Sequence, residues 1–464
     1  MERARLSAAR LKKHWTLEEA AAELGVDRST LLRWEKGKTT PQPMHVRKLC
    51  EIYGLTAQEL GLEDDPGEVQ STIALDERDA DALASFRKQD LTLRLLRIVW
   101  SWSYHARYRD LQQLILSELE DNRMEYENIN RRDALRRLAL LPIEMCGLSA
   151  LRAVLSHPIE EILKQCAAGI TACWCLRKGK ELAFADSAVS NYIPTLKVIA
   201  QQGTTSHRAS AADLLAQSYL LKSTTARHLD SSKEAASYAR NAETYAEIAG
   251  HTLLRILALR TQAAAYQYAH QWEQALAATI KAKYLLEETE KKAPLPPIVH
   301  SYVYAGLATY QAYHGKKQDA LRSLEKAHAT FFAQSDNTAM PIWVDHNLGN
   351  LLSNDGQAHL HLNLYKQAAV SFAQIHESTA GETAIFASSR MASFINQVMA
   401  EVSRDDQPRD MERCVECWKK GLEGAKILQS TLLLGQALQA YQAMCAAWPG
   451  ERRIKELRDL IIHW

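Results

Sequence analysis

Apolar residues recur at helical rather than strand spacing along most of the chain, and polar punctuation divides residues 2–62 into five short helical runs. The first covers roughly residues 4–13, with Leu6 and Arg10 or Leu11 on one face. Thr16-Leu17-Glu18-Glu19 opens the second: a Thr hydroxyl can accept from the third amide while Glu19 reaches back to the cap. Its apolar face is Leu17, Ala20, Ala21 and Leu24. Gly25 stands where a tight turn needs positive φ, and Asp27 is expected to cap a third helix over residues 28–36. Pro41 and Pro43 stop that helix, residues 44–53 predict a fourth, and Gly54-Leu55-Thr56 caps a fifth through Leu60. The unit closes at the acidic turn Glu63-Asp64-Asp65-Pro66-Gly67.

Two short helices joined by a three-to-four-residue turn containing Gly form the helix-turn-helix signature. The run TLEEAAAELGVDRSTLLRWEKGKTTP resembles the phage-repressor and Cro (Xre) type of that domain, with cap, turn Gly, apolar positions and the trailing E-x-G-K-x-x-P in register. The resemblance implies that the third helix lies in the major groove of double-stranded DNA, with Arg28, Ser29, Thr30 and Arg33 facing bases. An arginine there can donate two bonds to guanine O6 and N7. Thr16, Lys36, Lys38 and Thr39 flank the helix where the phosphate backbone is expected to pass. Arg10 and Glu35 match family positions that form an internal ion pair, a structural role.

From residue 69 the pattern turns polar and then resumes as amphipathic helices near 91–102, 108–122 and 130–141. The aromatic and basic run Tyr104-His105-Ala106-Arg107-Tyr108-Arg109 reads as arginine stems covering an apolar face, and Arg131, Arg132, Arg136 and Arg137 as a solvated face.

Self-similarity begins near residue 170. LALRTQAAAYQYAHQWEQALAATIKAKYLL and YVYAGLATYQAYHGKKQDALRSLEKAHATFF both match the tetratricopeptide pattern. Each has a small residue in the first helix (Ala263, Ala308), a turn near His270 or Gly315, then Ala275-Leu276 or Ala320-Leu321, and Ala282 or Ala327 beyond. Small residues let the two helices of a hairpin approach closely. A third copy carries Gly356, Tyr365, Ala368 and Phe372, and an earlier one Ser223, Ala235 and Ala242. The copies are offset by 40, 45 and 48 residues (235 to 275, 320 and 368), longer than a minimal repeat, so a solenoid of uneven pitch is expected. Residues 173–199 and 411–428 read as degenerate flanking repeats and residues 451–464 as a capping helix.

Such arrays bind along the concave wall made by the first helix of each hairpin. Aligned copies project Gln217 and Arg227, then Arg260, Gln267 and Tyr268, then Tyr302, Thr309 and Tyr313, then Asn350, Ser353, Gln357 and His361 onto it. Asn347, Asn350 and Asn354 share one stripe. Amides donate and accept at once, which suits an extended peptide backbone. A repressor-type head followed by a tetratricopeptide array is similar in layout to the peptide-sensing regulators of bacterial quorum-sensing systems (RRNPP-type). That resemblance implies a homodimer in which a peptide in the groove alters the spacing of two DNA heads; docking of a protein partner is the alternative.

Composition narrows the chemistry. Apolar residues are 47% of 464, while Gly and Pro together number 31 (19 + 12), a balance of helical globular domains. The net charge of +1 hides an excess of +3 over residues 1–62, from eleven Lys/Arg against eight Asp/Glu. Without an apolar run of spanning length or a signal-peptide core, a cytoplasmic protein with no membrane partner is expected. Eight cysteines lack a disulfide framework, and Cys50, Cys146, Cys166 and Cys445 read as small hydrophobes. Cys414 and Cys417 have metal-like spacing but sit on successive turns of one helix, far from Cys173 and Cys175, so no metal is expected. No phosphate loop, G-x-G-x-x-G, H-E-x-x-H or G-x-S-x-G occurs, so no catalytic residue, cofactor or enzyme activity is expected, and His359 and His361 read as packing or inner-face residues. The sequence thus predicts an all-α chain: a five-helix helix-turn-helix domain over residues 1–65, a helical connector over 66–165, and a tetratricopeptide-like α-solenoid over 166–464.

Overall fold

The computed structural model describes residues 6–36 except 8, 11, 12 and 14, then 39, 41, 43–53, 55, 60 and 62. Beyond these it describes 91–99, 102, 108–121, 128–140 and 158–462, except 230, 231, 334–339, 345, 379–384 and 405–407. These residues are helices and their turns, with no strand among them. The chain divides into two compact units, Met1–Ala80 and Asp81–Trp464. No helix among the described residues is long and apolar enough to cross a membrane.

In the first unit residues 6, 7, 9 and 10 are helical, followed by α1 (Leu17–Leu24), α2 (Arg28–Glu35) and α3 (Pro43–Tyr53). The capping box at α1 is formed: Thr16 Oγ1 accepts from the Glu19 amide at 3.2 Å, and the Thr16 amide donates to Glu19 at 2.8 Å. Gly25 ends α1 at φ 70°, the left-handed conformation that favours glycine. Asp27 holds the extended N-cap geometry before α2, yet its side chain makes no capping bond, unlike the expectation. The α2 helix ends one residue early, with Lys36 as its C-cap, and α3 starts one residue early, at Pro43. Most of the expected fifth helix lies outside the described residues, though Leu60 is buried in the core with Leu6, Ala20, Leu24, Leu31, Trp34 and Leu49.

The second unit begins with helical residues 91–99, then α4 (Tyr108–Asp121), α5 (Asn128–Leu140), α6 (Ile159–Lys178), α7 (Leu182–Ser190) and α8 (Ile193–Gln202). Leu91, Leu95, Val99, Leu111, Ile115 and Leu138 share one core with Trp174, Leu215 and Leu257, so this segment packs into the array rather than standing apart from it. Arg132 and Arg136 both pair with Glu181, while most of the run from Tyr104 to Arg109 falls outside the described residues.

Helical hairpins follow: α9 (Thr205–Leu229) with α10 (Ser232–Ile248), α11 (Thr252–Tyr268) with α12 (Trp272–Glu290), and α13 (Pro297–Tyr313) with α14 (Lys317–Phe332). Then come α15 (Leu348–His361) with α16 (Tyr365–Glu377), α17 (Ala387–Val402) with α18 (Met411–Ile427), and α19 (Thr431–Ala447) with α20 (Arg452–Ile462). The repeat register explains the packing. Ala235, Ala275, Ala320 and Ala368 are all fully buried where the paired helices meet. Each of the last three lies five residues after a left-handed turn residue, His270 (φ 57°), Gly315 (φ 72°) or Asn363 (φ 59°). At Gly356 a Cβ would sit 2.6 Å from the Phe372 ring, so α15 and α16 touch backbone to ring. The segment around Cys173 is the middle of the long α6, and Met411–Ile427 is the second helix of the α17–α18 hairpin.

The array closes on itself. The α19 helix packs against α9: Thr431 Oγ1 donates to the His228 carbonyl at 3.1 Å, and His228 Nδ1 lies 3.0 Å from Ser430 Oγ. Leu182 of α7 joins the core of α17 to α20, and Arg177 of α6 stacks over Trp174 and Phe386. The last hairpins therefore return to the first helices, leaving a cavity between them.

Candidate functional site

In the first unit, Leu31, Trp34 and Glu35 anchor α2 inward, and Arg28, Ser29 and Arg33 are exposed on its other side, with Thr30 half-buried. The anchor is polar as well as apolar. Arg10 holds Glu35 through two bonds, 2.7 and 3.1 Å, with side chains only 11% and 6% exposed, and also donates to the Trp15 carbonyl at 2.9 Å. This bidentate pair fixes the N-terminal helical turn against α2. Arg28 Nε lies 2.7 Å from Glu18 Oε1, an exposed pair that a base edge can displace at small cost. Lys36 and Thr39 are exposed beside the helix; Lys38 lies outside the described residues. The Thr16 hydroxyl, exposed at the start of α1, accepts from the Glu19 amide and donates to the Glu19 carboxylate at 2.9 Å. The Thr16 amide, and after it the Thr16 hydroxyl, donate to the Glu19 carboxylate and hold it below the usual carboxylate range.

In the second unit, the closure of the array shapes a half-open cavity of about 530 Å³, within the roughly 300–1,000 Å³ of small-ligand sites. Of the residues projected onto the concave wall, Arg227, Arg260, Gln267, Tyr268, Tyr302, Asn350, Ser353, Asn354, Gln357 and His361 line it. Four do not. Gln217 is fully buried, donating to Asp213 at 2.8 Å and accepting from Gln112 at 2.9 Å, because α9 is covered on its far side as well. The Thr309 hydroxyl is turned into the α13–α15 contact, 3.2 Å from both the backbone and side-chain oxygens of Asn354. Asn347 caps α15, accepting from the Asn350 amide at 2.9 Å. Tyr313 stacks on Trp272 at 4.0 Å, 44% exposed, outside the lining.

The lining also holds residues that the repeat alignment missed: Arg177 and His228 near the start of the array, Trp272, and from the end of the array Asn396, Gln436 and Gln439. Amides dominate the polar wall. Asn350 Oδ1 accepts from Ser389 at 3.0 Å, and Asn354 Oδ1 accepts from Thr309, but Gln357 makes no hydrogen bond with any described residue. Burial, with the charges of Arg227 and Arg177 adding to it, pushes the His228 imidazole down to about 3, and burial also lowers His361. Both are neutral near pH 7, so arginines supply the positive charge there.

Cys414 and Cys417 are buried beside Trp418 in α18, and burial pushes the Cys414 thiol up to about 12, so neither presents a reactive thiolate.

Residues 6–60 match the family model described as Helix-turn-helix. They form a DNA-binding helix-turn-helix domain. No curated protein matches the chain. Among solved structures it is similar to PlcR of Bacillus thuringiensis in complex with the peptide PapR7 and DNA, at 10% identity and TM-score 0.24, over 66% of this chain and 99% of that one. It is also similar to the APC/C hetero-tetramer Cut9-Hcn1, at 13% identity and TM-score 0.32, over 99% and 82%. A third is the signal-transduction ATPase PH0952 of Pyrococcus horikoshii, which has a tetratricopeptide repeat sensor, at 12% identity and TM-score 0.24, over 97% and 72%.

Proposed function

We propose that the chain is a transcriptional regulator whose helix-turn-helix domain reads an operator and whose tetratricopeptide-like array senses a short peptide. The observation that carries the sensing half is the half-open cavity lined by amides from three helices: Asn354 and Gln357 from α15, Asn396 from α17, and Gln436 and Gln439 from α19. A peptide main chain offers a donor and an acceptor at each residue, and amide side chains answer both. Tyr268, Tyr302 and Trp272 add apolar surface for its side chains. On this reading the protein acts in the cytoplasm as a homodimer without a cofactor, with its heads on half-sites one helical turn apart, about 34 Å.

Docking of a folded protein is the second reading. It draws on Ile280 and Tyr284, 52% and 65% exposed one turn apart on α12 and outside the cavity.

The test uses the full-length protein. Operators selected from random duplexes should be bound tenfold or more weakly by Arg28→Ala, and peptides recovered from a random pool should lose affinity in Gln357→Ala, which has no internal bond to break. A protein that selects no duplex sequence refutes the regulator reading, and peptide binding indifferent to Gln357 refutes the groove. Peptide binding lost on Tyr284→Asp but kept in Gln357→Ala would move the interaction to α12.

A further inference from the structure

We infer that the cavity is built for an anion: it takes a peptide that brings a carboxylate, from an acidic side chain or its own C terminus, to Arg227 and Arg260. This deepens the peptide reading and rests on it. In a chain of 56 basic and 55 acidic residues, the described lining contains Arg177, Arg227 and Arg260 and neither Asp nor Glu. Charges inside proteins are paired as a rule, because desolvation penalises an unpaired ion. Arg227 and Arg260 make no ion pair with any described residue, which leaves a positive field there for a ligand to neutralise.

The two arginines are held ready. Arg260 is only 3% exposed; it stacks over Tyr302 at 4.8 Å and donates from Nε to the Tyr302 carbonyl at 3.1 Å and from Nη1 to the Tyr310 hydroxyl at 3.4 Å. Two of its five N–H groups are thus used, and neither partner is charged. Its place is reserved in the backbone: a Cβ at Gly306 would fall 2.1 Å from the guanidinium, so only glycine leaves room for it there. Arg227 stacks over Tyr268 at 5.6 Å and makes no hydrogen bond with any described residue, and its Nε is buried without a partner. Its N–H groups, bonded to no described residue, are the kind that take a carboxylate in two parallel bonds. The field reaches neighbouring groups: Arg227 and Arg177 add to burial in lowering His228, and Arg260 adds to it in lowering His346. An acidic peptide relieves this field, a neutral one leaves it in place, and a basic one worsens it.

The experiment presents the immobilised full-length protein with random heptapeptides bearing free C termini. A parallel pool has amidated C termini, and citrate and inorganic phosphate serve as non-peptide anions. The expected result is recovery of peptides enriched several-fold in Asp and Glu, or recovery that collapses on amidation. Arg227→Gln should weaken the recovered peptides tenfold or more and erase the preference, with Arg227→Lys restoring part of it. Arg260→Gln also removes packing against two tyrosines, so Arg227→Gln, checked for an unchanged melting curve, is the deciding variant.

Recovery of neutral or basic peptides, or an acidic preference that survives Arg227→Gln, overturns the inference and leaves the peptide reading standing. Binding of citrate or phosphate that depends on Arg227, with no peptide recovered, upholds the anion site and overturns the peptide reading. If none of the probes binds, both fall.

Discussion

The register of the repeats makes one substitution act in opposite directions at two helical glycines. At Gly356, in α15, a new Cβ would lie 2.6 Å from two carbons of the Phe372 ring. That ring is fully buried among Leu352, Ala368, Ala369 and Ile375, so it cannot swing aside. Forcing one methyl into a packed contact costs about 1–3 kcal/mol, and an overlap this deep belongs at the upper end. Alanine returns about 1 kcal/mol through helix propensity, which leaves Gly356→Ala destabilised by about 2 kcal/mol. At Gly435, in α19, the same Cβ meets nothing within 4 Å. Only the propensity gain remains there, so Gly435→Ala should be about 1 kcal/mol more stable than the parent.

Urea denaturation of the three proteins, followed by far-ultraviolet circular dichroism in one buffer, should separate the variants by about 3 kcal/mol on opposite sides of the parent. A Gly356→Ala protein as stable as the parent would refute the close α15–α16 approach. With it would go the repeat register that places Phe372 against α15.

Other outcomes follow from single contacts. Arg28→Ala should lose about 1–3 kcal/mol of discrimination at one operator base with an unchanged melt, since its partner Glu18 is exposed. Lys36→Ala should instead weaken all duplexes alike and flatten the salt dependence by about one ion. Arg10→Ala strands the buried Glu35 carboxylate, so the first unit should lose about 3–5 kcal/mol; a loss below about 1 kcal/mol would show the pair to be dispensable. Burial lowers His228 and His346 to about 3, from 6.5. Below pH 6.5 the unfolded chain therefore binds more protons than the folded one, and each histidine should subtract about 1.4 kcal/mol per pH unit as pH falls from 6.5 towards 3. These two rings add no pH dependence above pH 7, and a melt unchanged between pH 7 and pH 5 would show that both are protonated in the fold. Ser430→Ala removes the α19 cap and the hydroxyl beside His228, so it should cost about 1–2 kcal/mol and weaken peptide binding although Ser430 does not line the cavity.

What could be read from the sequence was local. Thr16, Glu19 and Gly25 act within a few residues of themselves, and the capping box and the turn stand where their spacing put them. The hairpins were legible because Ala275, Ala320 and Ala368 recur at intervals that the turn residues His270, Gly315 and Asn363 repeat. Facing was harder to read. In α9, Leu214, Leu215, Gln217, Ser218, Leu221 and Thr225 are all buried, so the helix has no polar stripe to tell its groove side from its core side. Aligned copies project Gln217 onto the groove, whereas Gln112, more than a hundred residues earlier, holds it in the core. Gln436 and Gln439 reach the cavity through the docking of α19 on α9, a contact between segments about two hundred residues apart that no repeat pattern encodes.

That closure gives the proposed sensor its mechanism. A ligand shifts a conformational equilibrium only by its difference in affinity between the states, so a peptide held by one wall alone would leave the array as it found it. Here Arg227 and Arg260 come from α9 and α11, while Gln436 and Gln439 come from α19, on the far side of the seam made by His228, Ser430 and Thr431. Opening the seam separates the two sets, and a ligand that bonds both is bound well only when it is shut. Taking the array from mostly open to mostly shut requires about 5.5 kcal/mol of differential affinity. Only bonds made across the seam count toward that figure, and each bond to a neutral amide there supplies about 0.5–1.5 kcal/mol of it. Arg227 and Arg260 would anchor the carboxylate on one wall, and the bonds that the same peptide makes to Gln436 and Gln439 on the other are the ones that favour the shut array, so the anion site sets affinity and the α19 amides set the switch.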